Sequence, residues 1–334
     1  MEKGKERNIV ECTICPYACK IGEGATGICG VRKNVSGKIE LLTWGVISGY
    51  AFDPVEKKPL YHFFPGRKIL SIGSWGCNMR CDYCQNYHIS QNIFSGAAQK
   101  VKPEEILRDS LRDNQNIGVA FTYNEPVIWY EYVRDVAHLV KEAGQATVMV
   151  TNGYVSEKAL FEYLEYIDAF NVDLKAFNND FYKRLTGATL EPVKKALRII
   201  AGSGRHLEIT TLIIPGRNDS VREMVDEASW IADEVGRDVP LHLSRYFPMY
   251  KRNDPATPEE TLLRLYETAR KYLSYVYIGN LAGVSGQDTY CPGCNNIVTR
   301  RSGYRISHPG LKLNRCSVCG KEIYRYFTSS SCLN

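Results

Sequence analysis

Eleven of the twelve cysteines fall into three tight groups, and no other feature of this 334-residue chain limits its folding as strongly. The groups are Cys12, Cys15, Cys19 and Cys29; then Cys77, Cys81 and Cys84; then Cys291, Cys294, Cys316 and Cys319, with Cys332 left as a tail thiol. The segment before Cys12 is charged and lacks the apolar core of a secretory signal. Grouped thiols in such a chain read as metal ligands kept reduced in a cytoplasmic setting, not as disulfides. Each group therefore marks a place where a metal is expected to organise the chain.

The middle group lies in Trp75 to Asn86, W-G-C-N-M-R-C-D-Y-C-Q-N, and has the spacing C-x3-C-x2-C. Thiolates are the usual ligands of iron–sulfur clusters, and three of them on a 4Fe-4S cube leave one iron open. An open coordination position separates a metal site that does chemistry from one that braces a fold. The unequal spacing differs from the paired C-x2-C knuckles of structural zinc. The plainer alternatives are a structural metal site or reduced cysteines that are neighbours by chance. The first group has x2, x3 and x9 spacings among glycines and too few apolar residues for an unaided core. Its four thiolates suit zinc or an iron–sulfur cluster, structural or electron-relaying, and the spacing does not choose between them. The last group forms two C-x2-C knuckles separated by 21 residues, which predicts a zinc ribbon with a structural, four-coordinate zinc. Its Arg300, Arg301, Arg305 and Arg315 read as a solvated basic face.

Between the outer groups, strand and helix patterns alternate. Strands are predicted at 69–73, 117–122, 146–150, 169–174, 206–214, 240–244 and 275–279, and one or two more within 38–50. Helices are predicted at 103–114, from Pro126, from about 156, within 178–201, at 221–235 and at 258–273. The stretch D-P-V-E-K-K-P-L-Y-H-F-F-P-G, 53–66, reads as an irregular connection, with His62 packed among aromatics. Six or seven βα units predict an α/β fold, an open, partial TIM-type barrel whose site lies at the strand C-termini. The expected division is 1–66 for the N-terminal four-cysteine module and connection, 67–282 for the barrel, and 283–334 for the ribbon and tail. Period-two alternation places Asn171, Asp173 and Lys175 on one strand face, His206, Glu208 and Thr210 on another, and His242 with Ser244 on a third. Such groups line a site for something polar and zwitterionic, or else satisfy one another, as Asp173 could with Lys175. No run approaches eighteen apolar residues, so no membrane span is expected. The net charge of +5 is mild for this length and does not indicate nucleic acid.

At the cysteine triplet the chain resembles the radical S-adenosylmethionine (SAM) superfamily. The resemblance implies that SAM chelates the open iron and is cleaved to a 5′-deoxyadenosyl radical, which abstracts hydrogen from a substrate. It places Tyr83 near the adenine. Tyr123-Asn124-Glu125-Pro126, Thr151-Asn152-Gly153 and Asp173-Leu174-Lys175 are similar to motifs of the pyruvate formate-lyase activating enzyme branch. That likeness implies SAM contacts from Asn124, Glu125, Asn152, Asp173 and Lys175, and extends to Glu208, His242 and Asn280 on later strands. The order of modules resembles the radical SAM protein of the AmmeMemoRadiSam system, which implies AMMECR- and MEMO-type partners and a flavodoxin- or ferredoxin-type electron donor. No motif identifies a substrate, and no cobalamin-binding signature is present. Two other readings stay open: activation of a glycyl-radical enzyme, and a nucleic-acid-binding metalloprotein.

Overall fold

The computed structural model describes residues 8–92, 99–281, 283 and 286–328. Cys332 lies outside them, as do parts of the predicted linker at 283–288. The chain opens with two small antiparallel hairpins, β1 (Val10–Cys12) with β2 (Cys19–Ile21) and β3 (Arg32–Val35) with β4 (Lys38–Leu41). The main sheet follows, with eight strands in sequential order: β5 (Gly49–Pro54), β6 (Lys68–Gly73), β7 (Asn116–Phe121), β8 (Ala146–Thr151), β9 (Ala169–Asp173), β10 (His206–Ile213), β11 (Leu241–Arg245) and β12 (Val276–Gly279). All neighbours from β6 to β12 pair in parallel, and helices connect them, as a βα-repeat sequence requires. The partial barrel expected from the sequence is the observed fold.

One strand departs from the prediction. Gly49–Pro54 joins the main sheet as an antiparallel edge strand on β6, so the sheet begins before residue 67. Pro54 is tolerated because it ends an edge strand. The pairing covers the backbone of β6, which would otherwise be exposed at the sheet margin.

The two sheet faces have separate apolar clusters. Leu70, Ile72, Val119, Phe121, Met149, Phe170 and Val172 pack against the helices, including the Trp129, Val133, Val136 and Val140 stripe. The alternate residues Ile69, Ala120, Val148 and Ala169 face the barrel interior and meet Leu60 and Phe63. The 53–66 segment, apart from one helical turn at Val55–Lys57, is irregular as expected. It plugs one end of the barrel instead of crossing its surface.

The C-terminal unit is built from β13 (Thr289–Tyr290), β14 (Ile297–Ser302), β15 (Arg305–Ser307), β16 (Leu311–Lys312) and β17 (Arg315–Cys316). It is docked on the plug: the Phe64 amide donates to the Tyr326 carbonyl at 3.1 Å, and the Phe63 and Tyr326 rings lie 4.8 Å apart. Among the described residues, no helix is long and apolar enough to cross a membrane.

Candidate active site

The C-terminal ends of the parallel strands surround a cavity of about 970 Å³. β6 delivers the cysteine loop to it. Asn124 holds this loop: its Oδ1 accepts from the Ser74 amide at 2.9 Å, and its Nδ2 donates to the carbonyls of Trp75 and Gly76 at 3.2 and 3.1 Å. Gly76 has φ +84°, and a Cβ there would lie 2.7 Å from the Cys29 carbonyl oxygen, so the loop requires glycine at this point.

Cys77, Cys81 and Cys84 all line the cavity. The Met79 amide points at the Cys77 sulfur from 3.3 Å, and the Asn152 amide nitrogen from 3.7 Å. Burial pushes the thiols of Cys77 and Cys81 up, so neither ionises readily until a cation neutralises it. Tyr83 also lines the cavity, and its buried hydroxyl has no hydrogen-bond partner among the described residues. Three thiols and an unpartnered buried hydroxyl on one wall fit a metal cluster with a polar ligand beside it.

Glu125 is buried at the end of β7. Its carboxylate accepts from the Val127 amide at 3.0 Å, the Thr151 hydroxyl at 2.6 Å and the Asn152 amide at 2.8 Å. Burial outweighs these bonds and raises the carboxyl to about 7. Among the described residues no cation pairs with it, and it lines the cavity, which makes it a natural partner for a ligand ammonium. Lys175 also lines the cavity and donates to Asp173 at 2.6 Å. Burial alone would lower its pKa, but the Asp173 carboxylate outweighs that and keeps the lysine charged. The mutual pair foreseen in the sequence is therefore present, on the cavity wall. Asn280, with φ +58°, donates to the Ser244 hydroxyl at 2.9 Å, and both residues line the same cavity.

The structure places Glu208 behind the cavity wall instead of on it. Its carboxylate accepts from the Tyr61 and His62 amides at 2.9 and 2.7 Å, and meets the Nε2 of His206 and His242 at 2.9 and 2.6 Å. Burial would raise its pKa, yet the two histidines hold it well below the usual carboxylate range. Glu208 thus orients His242, which does line the cavity, and ties down the plug. His62 is packed as expected, with Nε2 2.6 Å from the Tyr277 hydroxyl; burial lowers it to about 3, so it is neutral.

Sequence reasoning missed part of the wall. Tyr61 and Lys58 come from the plug, and Tyr304 comes from the β14–β15 turn of the C-terminal unit. Lys58 donates to Asp53 at 2.8 Å, and the Tyr123 hydroxyl donates to the same carboxylate at 2.9 Å. These contacts draw the cation, Lys57 included, to Asp53 and lower its carboxyl to about 2 against the effect of burial. Lys58 and Asp53 within the quoted 53–66 stretch were a usable signal. Arg301 requires a correction: it does not belong to a solvated basic face. It is buried, its guanidinium lies 4.2 Å over the Tyr61 ring, and it donates to the Tyr61 carbonyl and the Thr289 hydroxyl. Its place on an inward-facing strand position explains this. Arg315 is engaged by Glu322 at 2.9 Å.

The four C-terminal cysteines converge tightly. All their sulfurs lie within 4.8 Å of one another, with Cys291–Cys319 at 3.4 Å and Cys294–Cys316 at 3.6 Å. A tetrahedral metal with roughly 2.3 Å metal–sulfur bonds needs sulfurs about 3.8 Å apart.

A family model described as the radical SAM superfamily matches residues 72–228. The chain is 40% identical to an uncharacterized protein of Methanocaldococcus jannaschii, over 95% of both chains. It is 26% identical to the pyruvate formate-lyase 1-activating enzyme of Escherichia coli, over 59% of this chain and 80% of that enzyme. Among solved structures, a radical SAM methyltransferase from Sphaerobacter thermophilus matches with a TM-score of 0.52 and 16% identity, over 67% of this chain and 71% of that one. This last likeness is one of fold.

Proposed function

We propose, since this chain belongs to the radical SAM superfamily, that Cys77, Cys81 and Cys84 hold its 4Fe-4S cluster and that SAM occupies the adjoining wall of the cavity. The observation that carries this reading is the convergence of three thiols, the Tyr83 hydroxyl and the Glu125 carboxylate on one cavity at the strand ends. Bound there, the cluster would supply the one electron that reductive cleavage of SAM requires, and with it the means to abstract a hydrogen atom from the substrate.

The chain's own residues bind, orient and exclude water. Glu125 receives the methionyl ammonium, and Asn152 fixes both Cys77 and the Glu125 carboxylate through the contacts described above. Tyr83 faces the adenine. Lys175 and Asp173 address the carboxylate and ribose, and Asn280 with His242 complete the pocket. Asn124 and Glu208 are positioning residues, the first for the cysteine loop and the second for His242. The plug and the β14–β15 turn close the far side, where Lys58, Tyr61 and Tyr304 would meet the substrate.

The division into an N-terminal module, a barrel and a C-terminal ribbon is part of the same proposal, with a structural zinc on Cys291, Cys294, Cys316 and Cys319. The order of these modules and the 53–66 stretch support assignment to the AmmeMemoRadiSam system, with AMMECR- and MEMO-type partners. A flavodoxin- or ferredoxin-type donor in the cytoplasm would supply electrons. Anaerobic reconstitution with iron and sulfide, followed by SAM and dithionite, tests the core claim. Wild type yields 5′-deoxyadenosine and Cys81→Ala yields none; turnover by a Cys81→Ala chain of full purity would refute the cluster assignment. Likeness to the Escherichia coli activating enzyme favours a second reading, installation of a glycyl radical on a partner protein. Electron paramagnetic resonance of each candidate partner after turnover decides it, because a glycyl radical signal is required.

A further inference from the structure

The N-terminal module has almost no core of its own. Among its described residues up to 43, five apolar side chains are buried, and three of them are Cys12, Cys15 and Cys29; the others are Ile21 and Val31. Cys19 faces Cys12 across the β1–β2 hairpin, Cys15 lies in the turn between these strands, and all four thiols are free. A unit this poor in apolar contacts needs a bound group to specify it.

The spacing of its sulfurs speaks to the kind of group. No three of the four come within 4.8 Å of one another, whereas the C-terminal set satisfies that limit as a whole. A single tetrahedral metal requires sulfurs about 3.8 Å apart. Cys77, Cys81 and Cys84 do not meet the limit either, so neither set is arranged about a single metal ion. Wider gathering suits a multi-iron core, in which each thiolate binds its own iron or shares one with a single other thiolate.

The module is docked on the triplet's loop. Arg80, inside the C-x3-C segment, donates to the Cys77 carbonyl at 3.0 Å and also to the Ile28 carbonyl beside Cys29. Gly76 abuts the Cys29 carbonyl, and the Ser156 amide donates to the Ile14 carbonyl at 3.1 Å. Asn78 is completely buried beside the triplet: its amide donates to the Tyr154 carbonyl at 2.8 Å, and its Oδ1 accepts from the Asn152 amide at 2.9 Å and lies 4.0 Å from the Cys77 sulfur.

We propose that Cys12, Cys15, Cys19 and Cys29 ligate a second iron–sulfur cluster, seated against the triplet's loop at Arg80 and Gly76, that passes electrons to the cluster of the triplet. This rests on the triplet holding the SAM-cleaving cluster. One electron enters from a reduced flavin or iron–sulfur protein, which is oxidised by one electron. The same electron leaves toward the triplet, so the second cluster returns to its starting state and no bond forms or breaks.

The test uses three full-length proteins reconstituted anaerobically: wild type, Cys77→Ala/Cys81→Ala/Cys84→Ala, and Cys15→Ser/Cys29→Ser, each checked for folding by circular dichroism. The triplet variant is expected to keep about two or four iron atoms with matching sulfide, ligated by the N-terminal set. Its reduced electron paramagnetic resonance signal should not respond to SAM. The Cys15→Ser/Cys29→Ser variant should lose that iron and keep a SAM-responsive signal. Reduced wild type should show both signals broadened by spin–spin coupling. If the triplet variant binds zinc alone at the N-terminal set, or no iron, while wild type keeps a SAM-responsive signal, the inference is overturned and the proposed function stands. If no signal of wild type responds to SAM, it is the proposed function that fails. Two unbroadened signals would overturn the relay and leave only a second cluster.

Discussion

Replacing Glu125 with glutamine tests the SAM reading at the residue that carries most of its electrostatics. The folded-state carboxyl, at about 7, lies above its ordinary value of 4.5. The folded chain therefore holds a proton that the unfolded chain has released between those values, and stability falls as pH rises through that window. The shift of about 2.5 units corresponds to roughly 3 kcal/mol lost above pH 7. A ligand ammonium would return part of it. The free ammonium of an amino acid titrates near 8, so the charged pair forms best between about 7 and 8. SAM affinity in wild type should thus be bell-shaped in pH and about 15-fold weaker at pH 5.5 than at pH 7. In Glu125→Gln the acidic limb disappears and the basic limb remains. Loss of a hydrogen bond to a charged group, about 1.5–3 kcal/mol, weakens binding at pH 7.5 by about 10- to 150-fold. The glutamine also turns its amide toward a backbone or hydroxyl donor, because Glu125 accepts three bonds. Anaerobic calorimetric titration of SAM at matched iron content, from pH 5.5 to 8.5, reads both effects. An acidic limb of equal slope in Glu125→Gln would refute the reasoning.

Three further outcomes are expected. Cys291→Ala should abolish metal binding at the C-terminal four-cysteine site and cost several kcal/mol, because the surrounding apolar cluster is small, and metal analysis with thermal melting checks it; an unchanged melt would end the structural-zinc reading. Glu227 is buried, accepts from Thr211 at 2.5 Å and is raised by burial to about 8. Its folded value exceeds its ordinary one, so stability declines as pH rises from about 4.5 to 8, by up to roughly 5 kcal/mol. Glu227→Gln should flatten that part of the melting-temperature profile, and parallel profiles for the two proteins would contradict it. Arg301→Lys should cost about 2–4 kcal/mol by breaking the planar stack on Tyr61 and its forked donors, and should expose the 53–66 segment to limited proteolysis; wild-type protection of that segment would count against the plug.

The barrel was legible because it follows from local rules, whereas most residues of the candidate site were named through resemblance to a family. Period-two alternation placed Phe170, Val172 and Leu174 toward the helices and Asp173 with Lys175 toward the cavity, as observed. What the sequence hid depends on contacts between distant segments. Gly49–Pro54 has exposed Tyr50 and Phe52 and a terminal proline, and becomes a strand only because β6 offers it an unpaired edge. Asn78 reads as one polar residue in a cysteine loop, and its bonds to Tyr154 and Asn152 exist only once the residues after β8 meet that loop. Arg301 looks basic and exposed in sequence, yet two segments 240 residues apart make it an interior residue.

Glu208 shows the same limit most fully. On its strand it shares a face with His206 and Thr210, which suggested a cavity group. A buried carboxylate can stay ionised only if its oxygens are fully engaged. Here two backbone amides of the plug and two histidines engage them, so the charge stabilises the plug's seating as much as the plug stabilises the charge. Tyr61, fixed by that carboxylate through its amide, then carries the Arg301 guanidinium on its ring. The chain of contacts from His242 at the cavity through Glu208 and Tyr61 to Arg301 is continuous. It links the C-terminal unit to the cavity through hydrogen bonds and a cation–π contact, so a change in that unit that shifts Arg301 should be felt first at Tyr61 and His242.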